Sequence, residues 1–514
     1  MRFLPQTNPS SAPVQGPAAP ATQPSPAAEP STDLPAPAAG GETPASSQPS
    51  AALEQPVVPA PQPLPLPATT QTDGAPTAPQ IMEHPLIASS QPGDMARPSL
   101  EEAVHVSATT TQSADTTAPS ADTQPAGAAA GESSAPADAD DHLSDHWLAA
   151  QRGRLADRGI VIDALLATYF GDNFSGGATT SHAGAAYEFN LNFTLDSSKL
   201  LGYDGGTLFV NFRTQDGLEH PLDGSFGDTS HLDEPQLTAV SEIWYQQTLF
   251  ADKLRLKLGK IDANEDFAFV QNGGEFLNDF ASYSATIASL PTDPDPALGA
   301  LAFYTINDHF YVGAGVFDGS LQQGVPTGSL GPNTGFRSTF LIGEAGAKWT
   351  LPGGRDGRLA LGGWRQTGSI PHLDDGGHDT SAQGPYATFD QTLWRANPDQ
   401  DDDKRGIAMF ALAGYADPRL SQAAQQFSGG VKWTGLIPSR PDDIVGLGAG
   451  YIGFSQADDA GFDHSAQTTI EAFYKIQLKP WFSIEPDLQF VNDPDGIASQ
   501  HNAVIGTIQM LVDF

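Results

Sequence analysis

Hydrophobic and polar residues alternate with a period of two along most of the chain after Gly159. In the closing stretch, 502–514, the apolar parity ends on Phe514, and the opposite parity carries polar residues such as Asp513. The stretch 187–195 alternates in the same way between aromatic or aliphatic residues and Glu, Asn or Thr. A period of two is typical of a β-strand with one apolar and one polar face. The pattern therefore predicts an all-β protein.

The alternating runs predict about sixteen strands, an even number, as in single-chain bacterial barrels. They lie near 160–170, 184–195, 206–214, 238–250, 253–261, 298–306, 309–317, 336–350, 357–368, 384–395, 406–416, 424–435, 444–455, 465–478, 481–492 and 502–514. Taken strand by strand, the same runs also fit a soluble β-sandwich, in which the apolar parity would form the core.

The connections between these strands alternate in length. Tight turns are predicted at 251–252, 307–308 and 479–480, whereas segments such as 215–237 and 262–297 are long. Short turns at one rim and long loops at the other are typical of an outer-membrane barrel, and a sandwich has no reason to show them. The connections therefore favour a transmembrane antiparallel up-and-down β-barrel.

The polar parity of the predicted strands carries many charged residues. Such charges would be prohibitive in a dry core and are natural around a water-filled interior. They include Arg213, Glu242, Lys257, Glu344, Lys348, Lys432, Lys475, Glu485 and Asp487.

Composition excludes several classes of protein. The chain has 514 residues and no cysteine, which rules out a disulfide framework and cysteine-ligated zinc. Its formal net charge of -37 disfavours nucleic acid as a partner, because phosphate binding needs clusters of Lys and Arg. We find no catalytic G-x-S-x-G or H-E-x-x-H motif, and the 12 histidines show no ligand spacing. The sequence thus predicts no enzyme, cofactor or metal site, and leaves a secreted β-rich carbohydrate-binding protein as a rival interpretation.

The chain divides into three predicted segments. Residues 1–144 are dominated by Pro, Ala, Ser and Thr and hold more than half of the 43 prolines, so we expect a disordered tail. Residues 145–158 have apolar residues at helical spacing and predict a short periplasmic helix, and 159–514 form the barrel. The first ten residues lack the apolar region of a secretory signal, so we expect the true precursor to begin upstream of Met1 or to use a signal missing from this sequence.

Several stretches of the barrel segment, taken together and in order, resemble the carbohydrate-selective outer-membrane porins of the OprB type. They are S-E-I-W-Y-Q-Q (241–247), L-R-L-K-L-G-K-I-D (254–262) with F-L-N-D-F (276–280), G-P-Y-A-T-F-D-Q-T-L-W-R (384–395), R-G-I-A-M-F-A (405–411), G-G-V-K-W-T-G-L-I-P-S-R-P-D-D (429–443) and K-P-W-F-S-I-E-P-D-L-Q-F-V-N-D-P (479–494). The tail lies outside this resemblance. One departure is Arg365 in G-G-W-R-Q-T-G (362–368), which stands where an aromatic residue would be expected.

The resemblance implies a monomeric barrel of sixteen strands in the bacterial outer membrane, with the tail in the periplasm. It implies passive diffusion of glucose and related neutral sugars through a constriction lined by arginine and other polar side chains, and no enzymatic activity. It further implies outer-membrane lipid as surroundings and the barrel-insertion machinery as a partner, which would read Phe514 as a terminal assembly signal. A general diffusion porin with little sugar selectivity is the alternative function.

Side chains that line the sugar path are predicted from the polar parity and from the chemistry of sugars. Arginine donates to hydroxyl groups, and aromatic rings fit the apolar faces of a pyranose. The candidates for the lumen are Arg213, Glu242, Trp244, Lys257, Arg365, Glu485 and Asp487. Each of them also fits a simpler role, in which it lines the wall or pairs with a neighbour.

The long loop 262–297 is the connection best suited to fold into the lumen. Its segments 267–270 and 276–280 are too apolar for a freely solvated loop, so a plug that narrows the channel would explain them. A loop packed over the outer rim is the alternative.

Overall fold

The computed structural model describes most of the chain beyond the predicted tail. The described residues are 151–178, 182–217, 224–227, 229–230, 236–328, 336–400 and 403–514. The tail, 1–144, lies outside the described residues. Residues 151–157 are helical, within the segment for which the sequence predicts a short helix, and the chain enters the first strand at Ile160.

Sixteen antiparallel strands form one closed barrel, as the alternation predicts. Each strand pairs with its neighbours in the sequence, and β1 pairs with β16. The strands are β1 Ile160–Gly177, β2 His182–Asp196, β3 Gly206–Asp216, β4 Leu237–Leu249, β5 Leu254–Ile261, β6 Ala297–Asn307, β7 Phe310–Asp318, β8 Thr339–Leu351, β9 Arg355–Pro371, β10 His378–Arg395, β11 Gly406–Tyr415, β12 Ala423–Thr434, β13 Ile444–Phe454, β14 Ala466–Lys479, β15 Phe482–Asn492 and β16 His501–Asp513.

Closure depends on the last strand, which pairs with both β1 and β15. In the seam with β1, Ala167 lies opposite Leu511, and Phe514 donates from its backbone N–H to the carbonyl oxygen of Ala164 at 2.9 Å. A barrel closed in this way leaves no unpaired strand edge, which is the condition for a sheet to exist in lipid.

The two faces of the wall follow the parity seen in the sequence. In β14, Ile470 is 43% exposed and points outward, whereas Glu471 on the opposite parity is fully buried inside. In β16, Ile508 points outward and is 47% exposed, and its neighbour Thr507 is buried. The outer wall is therefore apolar and the inner wall is polar, the reverse of a soluble sandwich.

The two rims differ, as the predicted connections indicate. At one rim the strands join through short segments such as 308–309 and 480–481, which we call the short-turn rim. At the opposite, long-loop rim they join through segments such as 217–236 and 262–296. A five-residue helix, α1 (Ser197–Leu201), lies in the β2–β3 connection at the short-turn rim. Within the part of the chain that is described, no helix is long and apolar enough to cross a membrane.

Several strands extend further toward the long-loop rim than the hydrophobic alternation predicts. β1 continues from the predicted end at 170 to Gly177, and β10 begins at His378 rather than at 384. The added residues are mostly polar or small, so they carry no apolar parity, yet the neighbouring strand supplies backbone partners that keep them extended.

Candidate functional site

The inner wall of the barrel is built from buried polar side chains. They come from alternate positions of neighbouring strands, because residues two apart on a strand share a face. Buried inward-facing members are Glu188, Asn190, Arg213, Glu242, Lys257, Glu344, Arg358, Asp390, Glu471, Lys475, Glu485, Asp487 and Gln489.

The β5–β6 connection, residues 262–296, folds into the barrel, and we call it the lumen loop. Almost all of its residues are buried, and it contacts inward-facing side chains on widely separated strands. Its Asp293 pairs with Arg213 on β3, and its Asn278 donates to Gln489 on β15 at 3.0 Å. Of the two placements that the sequence left open, the structure therefore shows the one inside the lumen.

One side of the lumen loop packs on an apolar part of the inner wall. Phe267 and Ile287 from the loop are fully buried in a cluster with Phe317, Phe340 and Trp364 of β7, β8 and β9. Burying such side chains stabilises the loop by about 1.5–3 kcal/mol for each large apolar residue. This packing explains why the loop sequence is too hydrophobic for a solvated segment.

A second apolar contact lies at the loop segment that carries Phe276 and Phe280. The Phe276 ring meets the inward ring of Phe473 edge to face, with 5.0 Å between the ring centroids. The inner wall has glycine at this level: a Cβ at Gly448 would lie 2.6 Å from the Phe276 ring and 3.0 Å from that of Phe280. Glycine on the inward parity of β13 therefore provides the space that the aromatic rings of the loop occupy.

Carboxylates of the wall accept hydrogen bonds from the loop backbone. A loop that leaves water must satisfy its N–H groups elsewhere, and carboxylates are strong acceptors for them. The bonds run from Ala268 N to Glu344 Oε2 (3.2 Å), from Gln271 N and Asn272 N to Asp390 (3.0 and 2.8 Å), and from Leu277 N and Asn278 N to Glu471 (2.6 and 3.1 Å). Three strands, β8, β10 and β14, thus hold the loop at fixed points.

Ion pairs add further attachments between loop and wall. Lys475 Nζ lies 2.6 Å from Glu275 Oε2, with side chains that are 2% and 4% exposed. Burial alone would raise the pKa of Glu275, but the charges of Lys475 and Lys432 outweigh it and hold that pKa below its usual value. The pair therefore carries full charges in a desolvated position, where losing one partner is costly.

The end of the loop next to β6 is held by Arg213. Its guanidinium pairs with Asp293, donates to Asn190 Oδ1 at 3.1 Å and lies 3.8 Å from Glu188 Oε2. The hydroxyl of Ser241 donates to the other oxygen of Asp293 at 2.9 Å. Arg213 is thus a link between two strands and the lumen loop, with its charge matched by carboxylates.

Acidic loop residues near this link have raised pKa values. Burial, with repulsion from Asp293 and Glu242, raises the pKa of Asp262 to about 8. Burial likewise raises the pKa of Asp295 to about 6, although its bond from the Gly328 N–H works in the opposite direction. The raised pKa makes Asp262 easier to protonate, which limits the negative charge close to Arg213 and Asp293.

A cluster of cations and aromatic rings lies at the other end of the loop. Asp266 accepts from Lys257 at 2.6 Å and from Arg255 at 2.5 Å. Burial would raise the pKa of Asp266, but these two cations outweigh it and lower the value to about 2. The Lys257 ammonium lies 4.5 Å from the centre of the Trp244 ring, and the Arg255 guanidinium lies 4.7 Å from that of Phe303.

Comparison with known proteins agrees with this geometry. Residues 181–514 match the family described as "Carbohydrate-selective porin, OprB family". The chain belongs to the OprB family. Porin B of Pseudomonas aeruginosa is 19% identical over 379 residues, covering 64% of this chain and 81% of Porin B. The high-pH structure of Pseudomonas putida OprB has a TM-score of 0.64 at 18% identity, covering 71% of this chain and 96% of that one, and so shares its fold.

Family membership and the closed barrel place the chain in the outer membrane. The resemblance stated from the sequence is therefore confirmed. Six of the seven residues predicted for the lumen lie on the inner wall and are buried: Arg213, Glu242, Trp244, Lys257, Glu485 and Asp487. Contact of these six with a sugar stays a prediction.

Arg365 is the exception, and its predicted place in the lumen is wrong. It lies on β9 between Trp364 and Gln366, which are 4% and 1% exposed and face inward, whereas Arg365 itself is exposed on the outer wall. The sequence analysis assigned Arg365 to the polar parity of its strand, but β9 pairs regularly with both neighbours through this stretch and has no bulge at Gly362 or Gly363. Regular pairing preserves the parity set by Leu361 and turns Arg365 outward.

The arginine of β9 that does face the lumen is Arg358, which the sequence analysis missed. It donates to Glu344 Oε1 at 2.8 Å, to Tyr311 Oη at 2.9 Å and to the carbonyl oxygen of Phe269 in the lumen loop at 3.1 Å. Arg358 shares its parity with Trp364, so counting in steps of two from that tryptophan would have found it.

Described residues of the β3–β4 connection also reach the inner wall, which the sequence analysis did not predict. The side-chain amide of Gln467 on β14 accepts from Phe226 N and donates to Phe226 O, both at 2.9 Å. Gln489 of β15 donates to Thr229 O at 2.7 Å. Phe226, a single phenylalanine in a polar connection, was the feature of the sequence that could have indicated this contact with the inner wall.

Within the described residues, one group brings a histidine and acids together at metal-ligand range: His372, Asp374 and Asp375 at the long-loop rim. Arg419 donates to Asp374 Oδ2 at 3.2 Å and lies 3.1 Å from His372 Nδ1. An arginine inside the group supplies the positive charge that a metal ion would bring. The arrangement is better explained as an ion-pair network that ties two rim loops together.

Proposed function

We propose that this porin is a non-enzymatic channel for passive diffusion of glucose and related neutral sugars. The observation that supports this function best is the lumen loop, which is fixed to the inner wall by buried packing, carboxylates and ion pairs. A loop held on several sides gives a passage of constant shape beside it. Such a passage can select solutes by fit and by hydrogen bonding.

A sugar that enters a narrow passage loses hydrogen bonds to water, so the wall must supply replacements. Arg255 and Phe303 are both partly exposed on the inner wall, and the guanidinium lies over the ring. An arginine donates to hydroxyl groups, while a neighbouring ring offers an apolar face to the C–H side of a pyranose. We therefore assign sugar contact to Arg255, beside Lys257 and Trp244.

Pairing of charges inside the barrel favours neutral solutes over ions. The cations described above each face a carboxylate: Arg213 pairs with Asp293, and Arg255 and Lys257 share Asp266. Paired charges keep their hydrogen-bonding groups but produce a weak net field along the passage. A neutral sugar would gain contacts there, and a small ion would gain little.

The remaining features of the proposal concern orientation and assembly. We assign the short-turn rim and the N-terminal tail to the periplasm, and the long-loop rim to the cell surface, as in other barrels of this class. Phe514 is 56% exposed beside β1, where a terminal aromatic is available to the barrel-insertion machinery. We propose that the barrel acts as a monomer, since its lumen is complete within one chain.

Planar-bilayer recordings test the function. Added glucose should reduce the ion current of the wild-type channel, and Arg255→Ala should weaken that block several-fold. Arg355→Ala is the matched control, because Arg355 bonds carbonyl oxygens of Pro352 and Leu393 at the short-turn rim, away from the lumen loop. A current that glucose does not reduce would support the general diffusion porin instead and contradict the proposal.

A further inference from the structure

Arg365 is a charged side chain on the wall that faces lipid. On β9 the outward residues before it are apolar, and Leu359 and Leu361 are 37% and 59% exposed. The outward residues after it are Thr367 and Ser369. Arg365 therefore lies where the outer wall changes from apolar to polar, on the side of the long-loop rim. This is the level at which the hydrocarbon of a membrane gives way to headgroups.

The guanidinium of Arg365 has little to bind within the protein. One of its terminal nitrogens donates to Ser381 Oγ at 3.2 Å. Among the described residues, no carboxylate lies within ion-pairing distance of it. Its neighbours across the strands are Leu341 and Gln383, neither of which carries charge. The positive charge is thus available to an external anion.

A groove runs along the outer wall next to this side chain. Its volume is about 930 Å³, and its lining includes Arg365, Leu341, Gly343, Gly363, Tyr415 and Arg419. A Cβ at Gly343 or Gly363 would touch only a backbone oxygen, at 3.6 and 3.5 Å, so the groove is open at both positions. Asp417 also lines it, but its carboxylate accepts from Arg419 N at 2.9 Å, and the Arg419 guanidinium pairs with Asp374.

We propose that this groove binds a phosphorylated lipid of the outer leaflet, with the lipid phosphate on Arg365. A guanidinium binds phosphate oxygens through two parallel hydrogen bonds, and such charge-assisted bonds are stronger than neutral ones. The chain as a whole has a net charge of -37 and repels anions, so a local cation is needed to attract one. Tyr415, which is 51% exposed, supplies an aromatic ring at headgroup level.

Lipid is favoured over other anions because the groove lies on the outward face of β7 to β11, which the membrane surrounds. The inference rests on the proposed orientation, with the long-loop rim at the cell surface. Its test is separate from that of the channel, since lipid binding and the block of current by glucose are measured independently.

Native mass spectrometry of the detergent-solubilised barrel measures lipid retention. The probes are lipid A with its phosphates and the same lipid after enzymatic removal of the phosphates. The wild type should retain the phosphorylated form about tenfold better, which corresponds to about 1.4 kcal/mol. Arg365→Gln should abolish this preference, and Arg365→Lys, which keeps the charge but not the planar fork, should retain part of it.

Arg355→Gln is the control, because it makes the same substitution at the opposite end of β9. It should retain both lipids as the wild type does. The proposal is overturned if the wild type shows no preference for phosphate, a comparison that needs no variant, or if Arg365→Gln keeps the preference. Dimers in the wild type that Arg365→Gln dissociates, without any phosphate preference, would assign the groove to contact between two copies of the chain.

Discussion

The buried pair between Lys475 on β14 and Glu275 in the lumen loop offers a sharp test of how the loop is held. Lys475→Met removes the cation and keeps a side chain of similar length. Glu275 then stays in a desolvated position without its partner, close to Glu485. Removing one partner of a buried pair costs about 3–5 kcal/mol, whereas replacing both partners costs much less.

The loss of stability should appear in the lumen loop and not in the strands of the barrel. The strands keep their backbone hydrogen bonds, while the segment around Phe276 loses one of its attachments to the wall. If the free energy of local opening falls by about 3 kcal/mol, the rate of hydrogen exchange in the loop rises about a hundredfold, because each 1.4 kcal/mol corresponds to a factor of about ten. We expect this increase in residues 271–281 for Lys475→Met and for Glu275→Gln.

A double-mutant cycle distinguishes a true pair from two separate effects. Hydrogen–deuterium exchange of Lys475→Met combined with Glu275→Gln should return to within about tenfold of the wild type, because no charge is left unpaired. Lys348→Met is the control: Lys348 also faces the lumen, but it lies over the Tyr311 ring at 5.4 Å. Single variants that exchange as the wild type does, or effects that simply add in the double variant, would refute the reasoning.

Four further predictions concern the passage, the lumen loop and the two ends of the chain. Arg213→Ala frees Asp293, so bilayer recordings should show a larger ion current and a weaker block by glucose; unchanged values would remove Arg213 from the passage. Because folding raises the pKa of Asp262 from 3.8 to about 8, the folded loop binds a proton that the unfolded chain has lost, so loop stability should fall as pH rises from about 4 to 8. Asp262→Asn should remove this dependence in exchange measurements, and a slope that persists would contradict the assignment. Deletion of Phe514 should lower the amount of barrel inserted in cells, measured by heat-modifiable gel mobility, more than it lowers the stability of the barrel that does insert. Limited proteolysis should remove residues 1–144 and spare the strands, and a protected tail would argue against a disordered spacer.

The sequence alone predicted the barrel and its two faces. The strand number and the inward position of residues such as Lys257 and Asp487 followed from the alternation of apolar and polar residues, and the two rims followed from the lengths of the connections. Side-chain direction along a strand is a local property, because each residue points opposite to its neighbour whatever the rest of the chain does. Local patterns of this kind can be read from the sequence.

One inward position was assigned wrongly. Arg365 was placed on the polar parity, but it lies on the outward face with Leu361, whereas Arg358 faces inward, and no bulge at Gly362–Gly363 shifts this register. A bulge depends on how a strand pairs with its neighbours, and a single strand cannot show it. The paired strands β8 and β10 decided this point.

The partners of the lumen loop were also decided only by the tertiary structure. Its apolar segments indicated that the loop is buried. Nothing in the sequence near residue 277 indicates that its partner is Glu471, which lies almost two hundred residues later and accepts a hydrogen bond from the Leu277 N–H. Barrel closure brings these residues together, because it places the inner faces of distant strands around one lumen. Parity is fixed within a strand, whereas partners, charge balance and the groove beside Arg365 exist only once sixteen strands have closed.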